Sequence, residues 1–155
     1  MNVITRERFL QRIKDQYHVH DICGLIGPRQ CGKTTLARYF TKNYPMVHWF
    51  DGENPDDVAS LENPLRTLEH LTGWVVIDEI QRLPALFPVL RVLVDRRQAQ
   101  YLILGSVSPS LIQQSSESLA GRIGYVELTP FHYGEQDNFP RLLTRFDTRR
   151  ISSIL

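Results

Sequence analysis

The apolar positions fall into two rhythms. Phe9, Leu10, Ile13 and Tyr17 recur at helical spacing, which predicts a helix capped by Thr5 with one apolar face. Short, mainly apolar runs occur at residues 21–26 (DICGLI), 46–50 (MVHWF), 74–77 (WVVI), 101–104 (YLIL) and 125–128 (YVEL). Runs of this length, bounded by Gly, Pro and Asn, predict buried strands. Leu36, Ala37 and Phe40 mark a helix over 32–42, stopped by Asn43 and Pro45. Leu86, Leu90, Leu93 and Val94 mark another over 84–96. Asn54–Pro55 and Asn63–Pro64 each place a capping side chain before a proline at the first helical position, so two short helices are expected there. Ser108–Pro109 starts a further helix in the same way. Strands alternating with helices imply right-handed crossovers and a mostly parallel sheet of the α/β class.

The chain has 155 residues, of which 42% are hydrophobic and 23% charged. That is one domain with a core of its own, and it argues against a disordered chain. The net charge is +1, so the broad basic field of a nucleic-acid binder is lacking and nucleic acid is not expected as a partner. The charge is uneven. Residues 1–50 carry eight basic and three acidic side chains, whereas residues 51–79 carry one basic and eight acidic.

Cys23 and Cys31 are too few for a disulfide framework or a zinc site, which points to a reducing compartment. The histidines at 18, 20, 48, 70 and 132 show no metal spacing. The N-terminal stretch is charged throughout, and no apolar run approaches the ~18–20 residues that span a bilayer. A soluble cytoplasmic protein without membrane partners is expected.

The chemistry starts where the first strand ends. Gly27-Pro28-Arg29-Gln30-Cys31-Gly32-Lys33-Thr34 fits G-x-x-x-x-G-K-[ST]. Gly27 and Gly32 supply backbone shapes that a Cβ would block, and successive N–H groups form an anion nest. The helix that follows aims its N-terminal dipole at the same place. Lys33 is expected to reach the β- and γ-phosphates, Thr34 to bind Mg²⁺, and Thr35 to add contacts near the α-phosphate. Arg29 contributes its backbone, and its side chain packs outside. Cys31 offers its N–H, and its thiol at a helix N-terminus is a candidate for oxidation.

Asp78 and Glu79 end the third predicted strand, at the edge where open α/β sheets bind ligands. Asp78 is placed to hold Mg²⁺, and Glu79 to polarise the water that attacks the γ-phosphate. Otherwise the two are exposed carboxylates capping a turn. A water-activating Glu favours hydrolysis over phosphate transfer to a small molecule. Ser106 ends the fourth strand, either to bond the γ-phosphate or the water, or as a cap or turn serine beside Gly105. Arg122 in SLAGRI is an arginine finger or γ-phosphate sensor, or else a surface ion pair. Trp49 and Trp74 read as core aromatics rather than an adenine platform. Arg141, Arg145, Arg149 and Arg150 read as a solvated basic tail.

LIGPRQCGKTTL, WVVIDEIQRLP, LILGSVSPSL and SLAGRIGYVELTPFHYGE, in this order, resemble the AAA-like ATPases of bacteria and archaea whose loop reads GPRQxGKTT. The likeness covers roughly residues 1–135. It implies a five-stranded parallel sheet in the order 5-1-4-3-2, in which a strand separates the two motif-bearing strands. Lys33 and Thr34 resemble the Walker A lysine and Mg²⁺ ligand, Asp78 and Glu79 the Walker B pair, Ser106 the first sensor, and Arg122 the arginine of the GR turn. Members usually continue through a helical lid and a nuclease-like C-terminal domain. Residues 136–155 are expected to be a short irregular tail, the start of a truncated lid.

The expectation is an ATP-binding P-loop domain that hydrolyses Mg·ATP to drive a conformational change. The alternative is a nucleotide-binding or interaction module with little hydrolysis of its own. A homo-oligomer or a partner chain completing the missing lid goes with either. ATP over GTP rests on the resemblance and agrees with the lack of an Asn-Lys-x-Asp guanine signature.

Overall fold

The computed structural model describes residues 6–130. Five strands are joined by helices in the order α1 (Glu7–Gln16), β1 (Ile22–Gly27), α2 (Lys33–Thr41), β2 (Val47–Asp51), α3 (Pro55–Ser60), α4 (Pro64–Leu68), β3 (Gly73–Asp78), α5 (Leu86–Asp95), β4 (Ala99–Ser106), α6 (Pro109–Ser118) and β5 (Ile123–Glu127). A short 3-10 turn, Ile80–Arg82, links β3 to α5. All the strand pairings are parallel, and the sheet order is β2-β3-β4-β1-β5. This is the order 5-1-4-3-2 that the resemblance implies, read from the other edge.

Alternation along each strand divides the sheet side chains between two cores. Cys23 and Leu25 of β1, Trp74 and Val76 of β3, and Leu102 and Leu104 of β4 face Phe9, Leu10 and Ile13 of α1 and Leu36, Ala37 and Phe40 of α2. Ile22 and Ile26, Val75 and Ile77, and Tyr101 and Ile103 face Leu68 of α4, Leu86, Phe87, Leu90, Leu93 and Val94 of α5, and Leu111 of α6. Helices therefore cover both faces, and the central strands read as continuous apolar runs because neither face meets water.

The local signals explain most boundaries. Asn54 accepts from the N–H of Asp56 at 3.0 Å, Asn63 from that of Arg66 at 3.4 Å, and Ser108 from that of Leu111 at 3.1 Å. These are the three predicted Asx-Pro and Ser-Pro helix starts. The first helix begins one residue later than expected: Arg6 occupies its N-cap position, and Thr5 lies outside the described residues. β4 runs two residues beyond its apolar core at each end, because paired neighbours hold its polar ends. The predicted helix over 84–96 starts only at Leu86, since the 3-10 turn precedes it.

Trp74 packs edge-on against Tyr17 and Phe40, with ring centroids 4.9 and 5.1 Å apart, so it is a core aromatic. Trp49 is half-buried under the Arg38 guanidinium. Gly73 has φ +80, and a Cβ there would meet the Met46 carbonyl oxygen at 2.6 Å. Glycine at this point lets β3 lie close to the chain entering β2.

Leu102 is fully buried in β4, the strand between β1 and β3. Leu102→Ala removes its packing where the sheet cannot collapse, and we expect a loss of about 2–5 kcal/mol in urea unfolding. A loss below 1 kcal/mol would show that this layer repacks freely.

Candidate functional site

The turn from β1 into α2 is built for close approach of backbone. Gly32 has φ +92 and Gln30 φ +61, so left-handed residues alternate with others along the loop, the geometry of an anion nest. Nothing lies within 4 Å of the position a Gly32 Cβ would take. Gly27 meets a further constraint. A Cβ there would strike the Leu128 carbonyl oxygen at 2.4 Å and the Cys31 sulfur at 2.9 Å. Its glycine serves packing of the loop against the chain leaving β5.

Lys33 is buried, and its Nζ donates to the carbonyls of Gly27 at 3.0 Å and Pro28 at 2.7 Å. Thr34 Oγ1 donates to Asp78 Oδ2 at 2.6 Å, across 44 residues of sequence. Asp78 also accepts from the N–H of Glu79 at 2.8 Å. Burial raises the Asp78 pKa from its ordinary value, and the hydrogen bonds from Thr34 and Glu79 partly offset it. Glu79 holds φ +52, uncommon for a residue with a side chain, and its carboxylate accepts from Gln81 Nε2.

These groups open onto a cavity of about 610 Å³ lined by Arg29, Gln30, Gly32, Lys33, Thr34, Thr35, Glu53 and Glu79. Ser106 pairs in register with Gly27 across β4 and β1, so it stands beside the start of the loop. Its Oγ is buried without a hydrogen-bond partner. The capping role falls to Ser108, two residues on. Cys31 is buried, with its sulfur 4.0 Å from Lys33 Nζ. Arg29 is exposed and pairs with Glu53 at 3.0 Å.

The structure does not bring Arg122 to this site. The Arg122 carbonyl accepts from the N–H groups of Asp21 and Ile22, which places the residue where β1 begins, at the opposite sheet edge. Its guanidinium pairs with Asp95 at 2.8 and 2.9 Å. Another cavity, of about 320 Å³, lies at that edge near Tyr17, His20, Asp21 and Arg97, and none of the predicted site residues lines it.

Three residues that the sequence did not single out touch the site. Gln81 holds the Glu79 carboxylate. Glu53 lines the cavity and lies 3.8 Å from Arg82 as well as beside Arg29. Buried Arg6 donates to the carbonyls of Cys31 at 3.1 Å and Thr129 at 2.6 Å, tying the loop to α1 and to the end of β5. Of these, Gln81 had a local signal, because it sits two residues after the acidic pair.

A hydroxyl and a carboxylate within hydrogen-bond reach supply the hard oxygen donors that Mg²⁺ takes. The open space over Gly32 and the buried ammonium suit phosphate oxygens. The residues present therefore fit a magnesium nucleotide.

A loop of this kind between β1 and α2, with carboxylates ending β3, defines the P-loop class of ATPase fold. The chain belongs to the AAA domain family AAA_14, whose model matches residues 19–136. It is 50% identical over 129 residues to uncharacterized proteins Mb2031c of Mycobacterium bovis and Rv2008c of Mycobacterium tuberculosis. The match takes in 82% of this chain and 29% of theirs, so the chain spans less than a third of those relatives' length.

Among solved structures, the Walker-type ATPase PABY2304 of Pyrococcus abyssi superposes with TM-score 0.63 at 16% identity, over 86% of this chain and 56% of that one. A chain from Drosophila ORC bound to GC-rich DNA and Cdc6 gives 0.53 at 12%, over 86% and 60%. At such identities these likenesses show the fold alone. No helix among the described residues is long and apolar enough to cross a membrane.

The raised Asp78 pKa has a consequence for stability. The folded state holds the proton more tightly than the unfolded chain, so stability falls as pH rises through the shifted value. Asp78→Asn removes that cost. We expect the nucleotide-free variant to melt no lower than the parent at pH 7. Its advantage should vanish below the carboxylate range. A lower melting temperature at pH 7 would mean that the pairing with Thr34 outweighs desolvation.

Proposed function

We propose that the chain binds Mg·ATP in this cavity and hydrolyses it, using the turnover to drive a conformational change. The observation that carries the reading is the Thr34–Asp78 hydrogen bond of 2.6 Å beside the buried Lys33. It joins the loop to the carboxylate pair at one point. Gly27 to Thr35 form the nucleotide loop, with N–H groups of the nest and the α2 N-terminus facing phosphate oxygens. Lys33 moves from the loop carbonyls to the phosphates. Thr34 and Asp78 would hold Mg²⁺, which when bound neutralises phosphate charge.

Glu79 accepts a proton from water as its oxygen bonds to the γ-phosphorus and the bond to the β–γ bridging oxygen breaks, releasing ADP and phosphate. Ser106, whose hydroxyl has no protein partner, donates to a γ-phosphate oxygen or to that water. Arg122 lies at the far edge, so a finger role requires a second copy or a partner chain presenting this edge to the nucleotide. The mycobacterial relatives are more than three times as long as the segment matched. On this reading, the further length of those relatives would supply a lid and an output. The AAA core then corresponds to 1–135, and the last of the chain to the lid's beginning. The setting is cytoplasmic.

A second reading, nucleotide binding without useful turnover, is favoured by the distance of Arg122 from the loop. The two separate cleanly. Titrating Mg·ATP into the purified chain should give saturable heat that Lys33→Ala abolishes. Glu79→Gln should keep that binding while turnover drops about 10²–10⁴-fold, the usual worth of a general base. Binding without turnover in the parent chain selects the second reading. Turnover unchanged in Glu79→Gln overturns the assignment of the base.

A further inference from the structure

Glu79 faces a difficulty that its neighbours create. It lines the same cavity as Lys33 and Arg29, two cations that would draw its carboxylate into an ion pair. A base paired in that way is neither free to take a proton nor pointed at water. Yet among the described residues Glu79 forms no ion pair with either. Its one side-chain bond is from the Gln81 amide, Nε2 to Oε2, and Oε1 has no hydrogen-bond partner.

Gln81 is placed by its backbone and by packing. It lies in the 3-10 turn that follows the acidic pair. Its Oε1 is buried without a hydrogen-bond partner, and a Cβ on Gly105 would come within 3.0 Å of it. The amide is thus wedged between the Glu79 carboxylate and the end of β4, next to Ser106. Glutamine suits the place chemically. A lysine or arginine would neutralise the base, an aliphatic side chain would not restrain it, and a second carboxylate would repel it. A neutral donor holds one oxygen and leaves the other available.

On the reading that Glu79 is the base, we propose that Gln81 is a positioning residue. It anchors one oxygen of Glu79, keeps the carboxylate off Lys33 and Arg29, and presents the other oxygen to the attacking water. The Gln81 amide touches neither phosphate nor water in this role.

The test is a pair of double-mutant cycles on the full chain. Gln81→Leu and the isosteric Gln81→Glu are each made alone and with Glu79→Gln for kinetics. We expect either variant to lower kcat about 10–100-fold, the scale of a misplaced reacting group, with KM for ATP and calorimetric Mg·ATP affinity within twofold of the parent. In the Glu79→Gln background neither should lower the residual rate further, because the role acts only through Glu79. A general loss of structure would instead lower affinity and depress both backgrounds.

Melting temperatures of the nucleotide-free protein give a readout free of activity. Gln81→Leu and Glu79→Ala should be non-additive, the double variant losing less than the two singles together. Additive shifts, or full kcat in Gln81→Glu, overturn the role of Gln81 while leaving the hydrolysis reading in place. A parent chain that binds Mg·ATP and does not turn it over overturns the hydrolysis reading and the role built on it.

Discussion

The insertion of β4 between β1 and β3 sets the terms for everything at the site. Two parallel spacings of about 4.8 Å separate the strand that ends in the loop from the strand that ends in Asp78. No backbone bond can join them. The gap is closed by the first turn of α2, from which Thr34 reaches back to Asp78 at 2.6 Å. β4 fills the floor of the gap, and its register puts Ser106 opposite Gly27 and Ile103 opposite Ile77. Loop, hydroxyl and carboxylates therefore share one sheet edge because the strands are parallel and in this order. A different order with the same motifs would scatter them.

That edge is also where the molecule tolerates unfavourable local states. Glu79 and Gln30 hold positive φ, the Ser106 hydroxyl is buried without a partner, and Asp78 keeps a carboxylate where burial disfavours its charge. The two positive-φ residues cost on the order of 1–3 kcal/mol each, and such positions persist only when their surroundings over-determine them. The surroundings here are the two apolar layers on either face of β1, β3 and β4, whose side chains are almost wholly buried. The opposite edge has different priorities. There Arg122 and Asp95 form a paired, exposed ion pair of the kind that contributes little to stability.

The class of the fold was legible because its signals are local and period-based: unbroken apolar runs for strands buried on both faces, and Asx-Pro or Ser-Pro starts for three helices. The loop was legible because its chemistry needs residue types at fixed spacing. What stayed hidden depends on pairs distant in sequence. Arg6 reaches Cys31 and Thr129, 25 and 123 residues away, and an arginine before an amphipathic helix carries no sign of that. Gly27 also meets a constraint that its place in the motif does not reveal, the Leu128 carbonyl oxygen 2.4 Å from where a Cβ would lie. The edge of Arg122 was legible too: in a parallel sheet a residue just before the fifth strand lies opposite a loop that follows the first, and Arg122 sits where β1 begins.

The placement of Arg122 bears on how charge is managed around the phosphates. Within one chain, the cations at the loop edge are Lys33, Arg29 and, through Glu53, Arg82. Lys33 is buried on two loop carbonyls, neutral acceptors for which a charged phosphate oxygen would be the stronger hydrogen-bond partner. Arg29 is exposed and held by Glu53 alone, an arrangement that a more highly charged triphosphate competes with readily. Arg122 could join them only from another chain. The exchange there is of the same type, since its partner Asp95 is also a solvent-exposed carboxylate. The loop lysine is thus held by backbone carbonyls, whereas Arg29 and Arg122 are each held by a carboxylate. On the proposed reading, this division would separate nucleotide binding, for which one chain carries the residues, from charge neutralisation in the transition state, which would depend on which carboxylate gives up its arginine.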